Sequence, residues 1–142
     1  MKKRKGNSEI RELKKTRDYV FALKQDAWTD FLRAKKETKR TLAVLEAARA
    51  KRKLAGKKLR AELQEDKTSG PVIDIGRMVA SSDDHLVTKM EFEQAREECR
   101  TAKKDYLAAR KKQEELRFRF QVIHEEFLCH KEVYELALAG KH

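Results

Sequence analysis

Apolar side chains recur in alternating steps of three and four through the second half of the chain, at Phe92, Ala95, Cys99, Ala102, Tyr106, Ala109, Gln113, Leu116, Phe120, Ile123, Phe127, His130, Tyr134 and Ala137. Only Gln113 and His130 interrupt the apolar run. This spacing holds one stripe of a helix against a partner helix over many turns and predicts a coiled coil. The first half carries the same heptad at Ile10, Leu13, Val20, Ala27, Phe31, Ala34, Thr38, Thr41, Leu45, Ala48, Ala55 and Leu59, with Arg17, Lys24, Arg52 and Glu62 on seam positions. Long basic stems can lie along apolar surface with their charges in water, so these four weaken the seam without ending it.

The boundaries follow from local signals. Ser8 is an N-cap candidate with Glu9 in the first turn, so helix one is placed at residues 8–66 after a basic arm at 1–7. Thr68, Ser69, Gly70 and Pro71 stop it. The segment VIDIGRMV, residues 72–79, reads as a short β-hairpin about Gly76 or, preferred here, an apolar loop within a linker at 67–83. Ser82, Asp83 and Asp84 offer N-caps, and Thr88 with Glu91 forms a capping box, for helix two at 84–139; residues 140–142 are a tail. Two helices of nearly equal length about a Gly-Pro break predict an all-α fold, a long antiparallel two-helix coiled-coil hairpin in which position i faces roughly 150 minus i. A parallel dimer of long helices leaves that break without a purpose.

Eight of the ten aromatic residues fall at the open end: Tyr19, Phe21, Trp28 and Phe31 opposite Phe118, Phe120, Phe127 and Tyr134. Several miss the seam. With Phe31 and Phe120 at heptad position a, Phe21, Trp28 and Leu42 share position e, while Phe118, Val122, Leu128, Val133, Leu136 and Leu138 lie farther out. Two helices cannot cover so many faces, so Phe21, Trp28, Phe118, Val122, Leu128 and Val133 are assigned to contact with another protein or another copy. Near the turn, Ala47, Ala48, Ala50, Ala55 and Ala61 predict a thin stalk.

Composition sharpens the picture through charge. Of 142 residues 42% are charged and 7% aromatic, a balance suited to helices sharing a narrow seam. Residues 1–60 hold 21 Lys and Arg against 7 Asp and Glu, while residues 61–142 hold 14 against 17. Such asymmetry raises nucleic acid as a partner. In the antiparallel register the run Lys51, Arg52, Lys53, Lys57, Lys58 and Arg60 faces Glu91, Glu93, Glu97 and Glu98 and is expected to be largely neutralised. Arg33, Lys36, Arg40, Arg110, Lys111 and Lys112 face fewer carboxylates and form the candidate anion-binding belt. Lys2, Lys3, Arg4 and Lys5 fit a phosphate-binding arm, a nuclear address or an ordinary basic start.

No Gly-rich phosphate loop, nucleophile elbow or metal-spaced Cys and His set is present, so the chain reads as noncatalytic and without a cofactor. His124 and His130 are six residues apart and lie on different helical faces; His130 and Gln113 read as polar seam residues that set register. Cys99 and Cys129, roughly 45 Å apart on one helix, cannot pair within the chain, as suits a reducing compartment. No apolar run is long enough for a membrane span, and the start MKKRK lacks a secretory core, which predicts a cytoplasmic protein, or a nuclear one in a eukaryote.

The chain's size, two long charged helices and missing active site resemble the stalk-like flagellar and type III secretion export proteins that lie against a hexameric export ATPase. That resemblance spans residues 8–139 and implies an export-apparatus partner. Through the 72–79 segment between two helices the chain also resembles prefoldin subunits, which implies chaperone-like binding of unfolded clients. The residues themselves specify a coiled-coil adaptor or assembly subunit working through protein contacts, with a basic nucleic-acid-binding coiled coil as the alternative.

Overall fold

The computed structural model describes the backbone of residues 2–68 and 75–140, and the side chains of residues 6–65 and 85–140. The fold is an all-α antiparallel hairpin of two helices, α1 (Lys2–Thr68) and α2 (Ile75–Ala139), with no strand among the described residues. Both helices start earlier than their cap signals suggest. Ser8 and Glu9 are exposed residues inside α1, and the basic arm is its first turns. A good N-cap is worth about 1 kcal/mol. Lys and Arg before Ser8 propagate a helix at little cost, and Gly6 and Asn7 are the weak residues there. Likewise, no Gly or Pro stands between Gly76 and Asp84, so α2 extends back through them to Ile75. The expected 67–83 linker is thereby shortened, and residues 75–79 are helical instead of a hairpin or loop. Residues 69–74, which include Gly70 and Pro71, lie outside the described residues, as do the side chains of Ser82, Asp83 and Asp84. The supposed capping-box residue Thr88 sits well inside α2. It is buried, and its hydroxyl donates to Glu62 Oε2 across the hairpin at 2.7 Å.

Packing divides the chain into two units: a terminal unit, Met1–Thr38 with Ala109–His142, and a turn unit, Lys39–Ala108. In each, burial follows the heptad. In the turn unit Leu45, Ala48, Cys99 and Ala102 form one buried cluster with Tyr106 packed against it. Here α1 supplies the large side chain and α2 the small ones. Leu45 is the largest fully enclosed residue, at 2% exposure. Of the five alanines expected to thin this end, only Ala48 is fully buried; Ala55 is half-buried, and Ala47, Ala50 and Ala61 are exposed. Close approach is instead served by Gly56, where a Cβ would stand 3.3 Å from the Phe92 ring. That contact gives a reason for a residue costing about 1 kcal/mol relative to Ala inside a helix.

In the terminal unit the sizes are reversed. Val20, Ala27 and Ala34 of α1 are buried, and α2 offers Leu116, Phe120, Ile123, Phe127 and Tyr134. Alternation of small and large across facing positions fills a two-helix seam without voids. Seam threonines are also accommodated: Thr38 Oγ1 donates to the Ala34 carbonyl at 2.9 Å, which satisfies the hydroxyl beside the core.

Because a buried Leu truncated to Ala loses about 2–5 kcal/mol, Leu45→Ala should lower the unfolding free energy by about 3 kcal/mol. Leu54→Ala, at a site 67% exposed, should change it by less than about 0.5 kcal/mol. Urea titration followed by helical circular dichroism measures both; equal losses would contradict a seam-centred core.

Candidate interaction surfaces

Register decides which side chains meet. In the turn unit Lys51 Nζ reaches Glu98 Oε2 at 2.9 Å and Lys58 Nζ reaches Glu91 Oε2 at 3.5 Å. All four are g positions in their heptads, so the g edge of this unit is charge-matched. The seam charge Glu62 is also resolved locally. It accepts from Thr88, and His85 Nδ1 lies 3.4 Å from the same carboxylate. The Thr88 hydroxyl, then the His85 hydrogen bond and charge, and then Lys58 outweigh the opposing desolvation and hold the Glu62 carboxyl below its ordinary pKa.

The terminal unit handles its seam cations with rings. Arg17 places its guanidinium carbon 4.4 Å from the Tyr134 ring centre, and Lys24 Nζ lies 4.8 Å from that of Phe127. Such contacts let charged residues stand on an apolar stripe, each contributing about 0.5–1 kcal/mol when exposed. Phe21 packs on Phe127 at 5.4 Å between ring centres. Trp28 packs on Phe120 at 5.0 Å and on Phe31 at 5.5 Å. Phe120 in turn stacks on His124, whose Nδ1 is enclosed without a hydrogen-bond partner.

The six residues assigned to partner contact are all exposed, but they do not form one patch. Phe21 and Trp28 are each 43% exposed and already half occupied by α2 rings. On α2, a rotation of about 100° per residue aligns Phe118, Val122 and Val133 in one outer stripe together with Cys129 and Leu136. Leu128 falls on a different side. Phe118 and Leu136, the stripe's ends, are 69% and 64% exposed. Cys129 is a free, exposed thiol within it. The sequence carried a signal for this stripe in the seven-residue spacing of Val122, Cys129 and Leu136. Glu125 and Glu132 border it.

The proposed anion belt is distributed differently from the expectation. Arg33 and Lys36 belong to the terminal unit and Arg40 to the turn unit. Arg110, Lys111 and Lys112 are consecutive, so they leave α2 in three directions about 100° apart. Arg33 and Lys112 do line one groove, but Asp30 and Glu37 line it too.

The run at residues 51–60 also departs from its expected neutralisation. Among the described residues, only Lys51 and Lys58 of this run meet carboxylates across the hairpin. Glu93 and Glu97 bond instead to Arg96 and Arg100 on their own helix, at 3.3 and 3.5 Å. A residue-level register predicted which charges face each other, but not that i,i+3 neighbours would capture two of the four glutamates.

Among the described residues no group of three or more His, Cys, Asp or Glu is placed to hold a metal ion. No helix among them is long and apolar enough to cross a membrane. The chain matches no protein-family model, no curated protein and no solved structure.

The depressed Glu62 carboxyl stabilises the fold above its ordinary pKa, and this contribution disappears as pH falls through its folded value. Carboxyl NMR titration should find Glu62 below the ordinary carboxylate range in the native chain and shifted upward in Thr88→Val. Acid unfolding of Glu62→Gln should show a shallower pH dependence below pH about 4.5. An ordinary Glu62 titration in the native chain would mean that the Thr88 bond is not maintained.

Proposed function

We propose that the chain is a noncatalytic coiled-coil adaptor or assembly subunit that acts through protein contacts. The outer α2 stripe of Phe118, Val122, Cys129, Val133 and Leu136 carries this reading. Most of it lies off the seam, with Phe118 and Leu136 69% and 64% exposed, and it repeats over about 27 Å of helix. Single exposed apolar residues are ordinary on a protein surface, whereas an aligned set is characteristic of an interface.

Further support comes from the terminal unit, where every α2 seam side chain from Ala109 to Ala137 is half-buried and none is fully enclosed. A third helical surface would complete that coverage. With Glu125 and Glu132 at its border, the stripe suits an apolar helix face edged by Lys or Arg. The architectural resemblance to export stalks points toward a secretion apparatus as the setting, with the partner a component of its ATPase assembly.

Phe118→Ala and Leu136→Ala should each weaken association with the native partner, or with a second copy, by about tenfold, while helical content stays within a few per cent. Affinity capture from the native cell, followed by calorimetry with the recovered partner and by sedimentation of the protein alone, reads the effect. Unchanged association in both variants would remove the stripe as the contact surface.

A further inference from the structure

The turn unit contains a groove whose charged lining is entirely cationic, from Arg49, Arg52, Lys53, Lys57 and Arg60, with Leu59, Leu63, Gly56 and the Phe92 ring completing it. Its volume is about 530 Å³. No acidic side chain lines it. Among the described residues none of the five cations has a carboxylate partner, because Lys51 and Lys58 take Glu98 and Glu91, and Arg96 and Arg100 take Glu93 and Glu97. The α1 basic run is thus sorted by heptad position. Its g residues are neutralised, and its remaining cations converge on a different face.

Helical spacing makes that face a track. Arg49, Lys53, Lys57 and Arg60 follow at intervals of four, four and three, which keeps them within about 80° of one another along roughly 16 Å of helix. Arg52 approaches from the seam side, where an apolar residue would ordinarily sit, and remains exposed. Gly56 lies on the same face, and its missing side chain lets the Phe92 ring pack close to the helix and form the apolar floor between the cations. Five like charges gathered without compensation are unfavourable to the isolated fold, and a solvated face would not require Arg52 at a seam position.

We infer that this groove binds a linear polyphosphate chain, the chemistry shared by the backbone of a single-stranded nucleic acid and by inorganic polyphosphate. A compact anion such as a lone phosphate would engage only part of a track this long. A linear chain of phosphates presents a charge at each repeat and can follow the helix from Arg49 to Arg60. Binding then releases counterions, and the strength should fall steeply with salt. This inference is independent of the α2 stripe, which belongs to the other unit.

Fluorescence anisotropy of a labelled oligothymidylate, titrated with the full chain at several salt concentrations, tests it. Four phosphate contacts predict a slope of log affinity against log salt near about −3, equivalent to a loss of about fiftyfold between 50 and 200 mM salt. The decisive comparison uses two pairs of the same residue type and equal charge change. Lys53→Gln with Lys57→Gln should reduce the slope by about 1.4 units, while Lys51→Gln with Lys58→Gln should leave it nearly unchanged. Circular dichroism verifies that both remain helical.

Competition identifies the source of the phosphates. Displacement of the oligonucleotide by inorganic polyphosphate supports recognition of the phosphate chain itself. Failure of polyphosphate to compete, with the pairwise difference retained, supports the nucleic acid and a contribution from base contact with Phe92. Equal effects of the two lysine pairs would overturn the inference in favour of diffuse charge. So would displacement by polyglutamate at matched charge, which would assign the groove to an acidic protein segment, and so would the absence of binding at low salt.

Discussion

Everything in this hairpin depends on how narrow its seam is. Two helices share one stripe each, so the seam must supply the core burial, and a single small or large residue has to be answered across it. Leu45 is answered by Cys99 and Ala102 in the turn unit. In the terminal unit the burden passes to α2, whose larger seam side chains accompany the buried Val20, Ala27 and Ala34 of α1. The constraint also explains the tolerated exceptions. Arg17 remains on the seam between the Tyr134 ring and the Asp18 carboxylate, Lys24 beside the Phe127 ring, and Glu62 where Thr88 and His85 satisfy its carboxylate.

A narrow seam leaves the helix flanks to electrostatics. In the turn unit, one edge is zipped by Lys51 with Glu98 and Lys58 with Glu91. These pairs are exposed, and each is worth no more than about 1 kcal/mol. By using the available glutamates on one edge and along α2, they also leave the basic residues of the opposite edge uncompensated. The same sequence feature, a lysine-rich and arginine-rich α1, thus has two separate structural outcomes.

The heptad was legible because period is a property that survives without knowing any contact: all fourteen seam positions assigned in α2 are buried or half-buried. The antiparallel register was legible for a related reason, since matched seam lengths about one break allow little choice. Helix starts were not, although the expected ends at 66 and 139 fall within two residues of Thr68 and at Ala139. Ser8, Ser82 and Thr88 are plausible caps in isolation, but a cap worth about 1 kcal/mol does not stop a helix whose preceding residues favour continuation. The interaction surfaces were half legible. Phe118 and Val122 announced themselves as apolar residues off the seam, whereas grouping them with Cys129 and Leu136, and apart from Leu128, requires angular position as well as hydrophobicity. Partner choice among charges was least legible, because Arg96 and Arg100 compete for the same glutamates as α1.

The placement of the first and last described turns in one unit has a mechanical consequence. A load applied to both ends acts on the terminal seam as a zipper. It strains the Arg17 and Tyr134 layer before the Phe21 and Phe127 layer, and the Trp28 and Phe120 layer only afterwards. Layers that open in succession resist with the strength of one at a time. Force transmitted along a single helix would instead shear many layers together. The terminal unit is therefore mechanically anisotropic: compliant when its two helix ends are drawn apart, and stiff when its helices are sheared past one another.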